Sequence, residues 1–166
     1  MAGFNTPMPA LLRLVSLMAL LTGSLAAGGR STPLYIGFHS EADETDNPKM
    51  MRQEVIDGEV YRFHVSPDLV TRHFSGFYSF AADDGSIGVA LKLTEAGLQA
   101  HQVMVSMVRG KLTRVIVNGR PVDVQRITAP RNFDGYMVIW QGLTEADLKL
   151  MSKKLRRLDP PEPPIE

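Results

Sequence analysis

The stretch Ser86–Gly110, SIGVALKLTEAGLQAHQVMVSMVRG, reads as a strand, a cap and a helix in direct succession. Ile87, Val89, Leu91 and Leu93 alternate with Ser86, Gly88, Ala90 and Lys92, the period-two pattern of a half-buried strand. Thr94 then supplies an N-cap hydroxyl. Glu95 to about Arg109 follows as a helix, with Leu98, His101, Val105 and Val108 on one stripe. Gly97 falls in the first turn, where a helix tolerates it better than in its middle. Gly110 closes the helix, because it adopts the left-handed C-terminal conformation at little cost.

On either side of this unit the chain is punctuated by Asx-Gly pairs: Asp57-Gly58, Asp84-Gly85, Asn118-Gly119 and Asp134-Gly135. Such pairs supply the positive φ angles of tight hairpin turns. Gln53–Ile56 and Glu59–Val65 flank the first, Phe74–Ala81 and Ser86–Leu93 the second, and Leu112–Val117 and Pro121–Ile127 the third. Asn118-Gly119 is expected to be a type I′ turn. Tyr136–Trp140 (YMVIW) and Leu34–His39 read as further strands. Two more helices fit between them. Ser66-Pro67-Asp68 opens a short one through about His73, with Pro at the first helical position. Thr144-Glu145-Ala146-Asp147 starts another in an acidic variant of the capping box, with the stripe Leu148, Met151, Leu155, Leu158. Interleaved helices among dominant hairpins predict an α+β fold of ferredoxin-like type, a mainly antiparallel sheet with helices packed on one face.

The ends read differently. Met1–Ala27 has no acidic residue, a single Arg13, an apolar run Leu14–Leu21 and small residues to Ala27. That is the pattern of a secretory signal peptide. The run is too short to cross a hydrocarbon core of about 30 Å as a helix. The expected organisation is signal peptide 1–27, one α+β domain 28–158, and a Pro-rich extended tail 159–166 (DPPEPPIE). Export to the periplasm or the extracellular space follows from that reading. The chain has no cysteine, so the domain depends on its apolar core for stability. Lys plus Arg and Asp plus Glu number 18 each, and a chain so balanced is not shaped for a nucleic acid.

The chemistry-bearing residues are scattered. Glu41, Asp43, Glu44 and Asp46 form an acidic stretch within the loop 40–49, without the alternation of a calcium loop, and read as a solvated surface. His39, His64, His73 and His101 include no pair at four-residue helical spacing. His64 and His73 are expected at opposite ends of the Ser66 helix, and His101 is expected buried and satisfied by backbone. Ser75 near His73 lacks a Gly-x-Ser-x-Gly elbow. Lys149, Lys153, Lys154, Arg156 and Arg157 make the last helix basic, which complements its dipole. Met104 and Met107 read as core packing. No catalytic, cofactor-binding or metal residues are assigned, and no cofactor is expected.

Three segments together resemble a known family. Ile87–Ala100 (IGVALKLTEAGLQA), Val115–Pro121 (VIVNGRP) and Gly142–Leu148 (GLTEADL) resemble the head subdomain of the first periplasmic domain of the SecD protein-export subunit. The shared pattern is a strand, Leu-Thr-x-x-Gly, a helix, a strand ending in a small-Gly-basic hairpin, another strand, and Gly-x-Thr-x-x-x-Leu opening the last helix. Residues 28–86 have no counterpart in it. The resemblance implies a SecD-head-like fold and a non-catalytic module that contacts protein or extended polypeptide in the cell envelope. Two other functions remain open from the residues alone. One is a small envelope hydrolase with a site assembled from distant residues. The other is a metal or solute binder using loop 41–46.

Overall fold

The structure, a computed structural model, describes residues 33–127 and 134–160. The expected signal segment, and the tail beyond Pro160, lie outside the described residues. In chain order the elements are β1 (Ile36–Ser40), β2 (Met51–Ile56), β3 (Glu59–His64), β4 (Leu69–Val70), β5 (Phe74–Ala81), β6 (Ile87–Leu93), α1 (Glu95–Val108), β7 (Leu112–Val117), β8 (Arg120–Arg126), β9 (Tyr136–Leu143), α2 (Glu145–Ser152) and β10 (Arg156–Arg157). Short 3₁₀ turns occupy Pro48–Met50 and Thr71–His73. The α+β class and its mainly antiparallel pairing are as expected. The strands divide into two four-stranded sheets, β4-β1-β7-β8 and β10-β5-β6-β9, with β2 and β3 as a separate ribbon. Among the described residues only β10 runs parallel to its neighbour, β5.

Alternation explains which residues enter the core. Ile36 and Phe38 of β1 sit opposite Val117 and Val115 of β7, and all four are buried without exposure. Phe77, Val89, Leu91 and Ile139 come from the second sheet, Met104 and Val108 from α1, and Met151 from α2. Packing these side chains together removes them from water, at about 1.5–3 kcal/mol for each fully buried large residue.

The segments that carry the family resemblance have specific physical duties. In Leu93-Thr94-Glu95-Ala96-Gly97, Leu93 is buried and the Thr94 hydroxyl accepts the Gly97 N–H at 3.1 Å. A Cβ on Gly97 would stand 2.2 Å from the His73 carbonyl oxygen, so the backbone of the Thr71–His73 turn passes where a side chain would be. Asn118 (φ 51°) and Gly119 (φ 82°) both adopt positive φ, as a type I′ turn requires. Arg120, just after it, donates to the Gly142 carbonyl at 2.8 Å and to Asp147 at 2.7 Å. Two short segments distant in sequence therefore meet, and the Thr144–Asp147 capping box is held from outside its own helix.

Three expectations are corrected. The Ser66 helix does not form. Asp68 donates its N–H to the Phe38 carbonyl at 2.8 Å, and Leu69 and Val70 pair with Phe38 and Gly37 as the short strand β4. A sheet edge offering backbone partners outweighs the weak propensity of an eight-residue helix. Second, α2 stops at Ser152, and Leu155 and Leu158 are not on its stripe. Lys153 and Lys154 turn the chain, Leu155 is still buried, and Arg156–Arg157 joins β5. Third, the Gly88 and Ala90 side of β6 is covered. Tyr78 meets Tyr136 edge-on at 5.7 Å and Phe80 meets Trp140 at 6.1 Å, the rings reaching from β5 and β9 across β6 between them. A Cβ on Gly88 would come within 2.3 Å of the Phe80 ring.

Candidate functional site

The edges of the two sheets are treated differently, and this difference positions the candidate interface. The outer side of β1 is capped along its length. Thr71 Oγ1 accepts the Ile36 N–H at 2.8 Å, the Phe38 carbonyl accepts from Asp68, and the Asp68 carboxylate accepts the Ser40 N–H at 3.0 Å. The outer side of β9 is capped by side chains of β8. Gln125 donates to the Val138 carbonyl at 2.9 Å, and Asp123 accepts the Trp140 N–H at 2.9 Å. Asp123 is buried, and that desolvation raises its pKa above the ordinary value against the bonds from Trp140 and Val124.

The outer side of β5 is capped only at one end. β10 pairs with Gly76 and Phe77, and the Leu158 N–H donates to the Phe77 carbonyl at 2.7 Å. Pro160 has no N–H to continue that ladder. Peptide groups alternate along a strand, so Ser79 and Ala81 present their N–H and C=O on the same outer side as Phe77. Among the described residues no strand pairs with them there. Beside this edge runs an open groove of about 860 Å³, lined by Ser79, Phe80, Ile87, Leu148, Lys149 and Arg157 among others. Lys153 adds a third cation to it and Glu145 one acid. The arrangement suits an extended chain with acidic side chains: backbone partners at the edge, an apolar floor at Ile87 and Leu148, and cations along the wall. Among the described residues the ribbon strand β2 also has no strand on its outer side, but it belongs to no four-stranded sheet.

The residues singled out from sequence are spread through the fold. In the acidic loop, Glu41 accepts the Leu112 N–H, Asp46 accepts the Asp43 N–H and lies 3.4 Å from His64 Nε2, and Asp43 pairs with Lys111. Their carboxylates point to separate partners, and among the described residues no group of three His, Asp or Glu side chains converges as metal ligands. Ser75 donates to the Lys92 carbonyl while His73 Nδ1 accepts the Val70 N–H, so the two do not form a nucleophile–base pair. His101 is buried, and burial lowers its pKa. Met104 is core, whereas Met107 and Val103 of the same helix are exposed. Of the basic residues assigned to the last helix, Arg156 and Arg157 are on β10. Lys149, Lys153 and Arg157, spaced by four, come together at the groove, but Arg157 reaches it from β10 and not from the helix. Ser79 and Phe80 were absent from the candidates; nothing in the sequence marks which strand of a sheet is left at its edge.

His39 meets the backbone of His64. The His64 carbonyl accepts a hydrogen bond from His39 Nδ1–H at 2.9 Å, and Tyr35 Oη lies 3.3 Å from His39 Nε2.

The fold so defined is an α+β domain of the SecD-like class. Comparison with solved structures agrees. The chain matches a structure described as "Structure and function of a membrane component SecDF that enhances protein export" at TM-score 0.52 and 11% identity, over 92% of this chain and 72% of that one. It also aligns with "Crystal structure of SecDF in Super-membrane-facing form" at TM-score 0.48 and 13% identity, covering 74% of this chain. The chain spans about a fifth of the length of that second SecDF chain, 19%. At these identities the likeness is one of fold. No family model matches the sequence, and no curated protein matches it. Among the described residues no helix is long and apolar enough to cross a membrane.

Proposed function

We propose that this protein is an exported, non-catalytic module that binds extended polypeptide in the cell envelope. It would do so by adding a strand to β5. The observation that carries the reading is the open outer edge at Ser79 and Ala81 beside a groove with Lys149, Lys153 and Arg157. Strand addition draws affinity from backbone hydrogen bonds and is tolerant of sequence, as a polypeptide handler requires. The shared fold with SecDF, described as enhancing protein export, supports the compartment and the partner class. Residues 1–27 act as the cleaved export signal in this reading, and 28–158 as the functional domain. The edge offers few hydrogen bonds, so binding is transient, with a Kd of about 1 μM to 1 mM.

The test is a titration of unfolded peptides into the labelled chain, one acidic and one basic, followed by backbone amide shifts. Shifts at residues 78–81, 148–153 and 157, stronger for the acidic peptide, are expected. Ser79→Pro removes an outward N–H without removing a bond to β6 and should abolish those shifts while the rest of the spectrum persists. If neither peptide shifts any amide at millimolar concentration, the polypeptide reading fails.

A further inference from the structure

A second, independent site lies on the face of the first sheet that points away from the core. Gly37, His39, Arg114 and Ile116 share that face, with Gly37 opposite Ile116 and His39 opposite Arg114. The β2–β3 ribbon covers it. Between the two is a cavity of about 200 Å³, whose lining includes Tyr35, His39 and Arg114 from the sheet side and Arg52, Phe63 and His64 from the ribbon side. Glycine at 37 keeps the floor open. A Cβ there would stand 2.4 Å from the Tyr35 hydroxyl and 2.9 Å from His39 Nε2.

The cations of this cavity are unevenly satisfied. Arg114 is 7% exposed. Its Nη1 lies 2.7 Å from Glu54 Oε2, yet that oxygen makes no aligned hydrogen bond. Arg114 Nε is buried and has no acceptor among the described residues. Leaving a donor of a buried charged group without an acceptor is costly. Arg52 supplies a second guanidinium at the exposed ribbon side. Of the carboxylates nearby, Glu54 faces Arg114 Nη1 and leaves its Nε free, and Asp46 lies on His64. His39 gives its Nδ1 proton to the His64 carbonyl, so its neutral ring accepts at Nε2 from the Tyr35 hydroxyl. The donors open to a ligand in this cavity are therefore Arg114 Nε and the Arg52 guanidinium, walled by the Phe63 and Tyr35 rings.

We infer that this cavity binds a small oxyanion, a carboxylate or a phosphate, gripped between Arg52 and Arg114. Paired guanidinium donors match the planar, bidentate acceptors of such groups. The volume of about 200 Å³ suits a single anionic group with a short substituent. The site is separate in sequence and in sheet from the β5 edge, and it stands or falls independently of polypeptide binding.

The full labelled chain is titrated with sodium phosphate and with sodium acetate, against sodium chloride at matched ionic strength. Saturable amide shifts confined to residues 35–39, 52–54, 63–65 and 114–116 are expected with at least one oxyanion and not with chloride. Phosphate alone, acetate alone, or both assigns the ligand class. Arg52→Gln, at an exposed ribbon position, should weaken the shift titration at least fivefold, and Lys149→Gln in the β5 groove should leave it unchanged. Arg114→Gln should abolish it if the variant folds, and Arg52→Gln decides the matter if it does not. Non-saturating shifts, shifts matched by chloride, or an Arg52→Gln titration equal to the parent would overturn the assignment.

Discussion

Arg120 Nη2 lies 2.7 Å from Asp147 Oδ2, joining the turn between β7 and β8 to the first turn of α2. Asp147 is the centre of this junction. Its carboxylate also accepts the Thr144 N–H at 3.0 Å and the Thr144 hydroxyl at 2.7 Å. The two partners are unequal, the Arg120 side chain being 46% exposed and that of Asp147 10%.

Asp147→Ala should therefore cost more than Arg120→Ala. Losing the carboxylate removes the reciprocal cap and leaves the Thr144 N–H without its acceptor, about 2 kcal/mol. Losing the guanidinium removes a half-exposed ion pair, about 0.5–1 kcal/mol. Chemical denaturation of both variants checks the order, and equal costs would show that the ion pair rather than the cap holds α2 in place.

Gly119 and Gly142 have nearly the same left-handed backbone, φ 82° and 83°, but different surroundings. A Cβ on Gly119 meets nothing within 4 Å, and one on Gly142 would stand 2.2 Å from the Val122 carbonyl oxygen. Gly119→Ala should cost about 1 kcal/mol from backbone strain alone. Gly142→Ala should cost at least twice as much, because β8 must also move. Thermal unfolding midpoints measured side by side test the difference, and equal shifts would contradict the close approach.

His39, His73 and His101 all have their pKa lowered, in each case first by burial. The His64 carbonyl bond and Asp68 oppose the shift at His39, while Arg114 and Arg52 add to it. Between the lowered folded value and the ordinary 6.5, the unfolded chain binds more protons than the folded one. Their contribution to stability is thus fully present above pH 6.5 and declines as pH falls from 6.5 toward the folded values. Unfolding midpoints should drop on acidification from pH 7.5 through 6, and His101→Gln should flatten that slope. A parent midpoint independent of pH across this interval would refute the linkage.

Asp123 carries the opposite sign. Its raised pKa means that burying its charge costs stability above the folded value, and the cost is relieved as pH falls through the folded value toward the ordinary 3.8, where the relief is complete. Asp123→Asn keeps an acceptor for the Trp140 N–H and buries no charge. It should be near neutral at pH 7, whereas Asp123→Ala should cost about 1–3 kcal/mol by orphaning that N–H. Urea denaturation at pH 7 separates the two, and identical costs would mean that the carboxylate's charge, not its acceptor, links β8 to β9.

The sequence by itself determined the local units. Alternation named the core face of β6, Thr94 and Thr144 announced the two helices they cap, and Asn118-Gly119 specified a two-residue turn. Each rests on interactions within a few residues, which short-range patterns encode. Tertiary structure alone decided the rest. Ser66–His73 had a helical start signal, and the free edge of β1 took its backbone instead. Leu155 lay on a helical stripe, and the core received it through a turn as Arg156–Arg157 passed to β5. The open edge at Ser79 and the cavity between Arg52 and Arg114 exist because strands distant in sequence lie side by side or fail to. Backbone hydrogen bonding must be completed somewhere, and which groups remain to receive a ligand is settled only once every strand has taken its place.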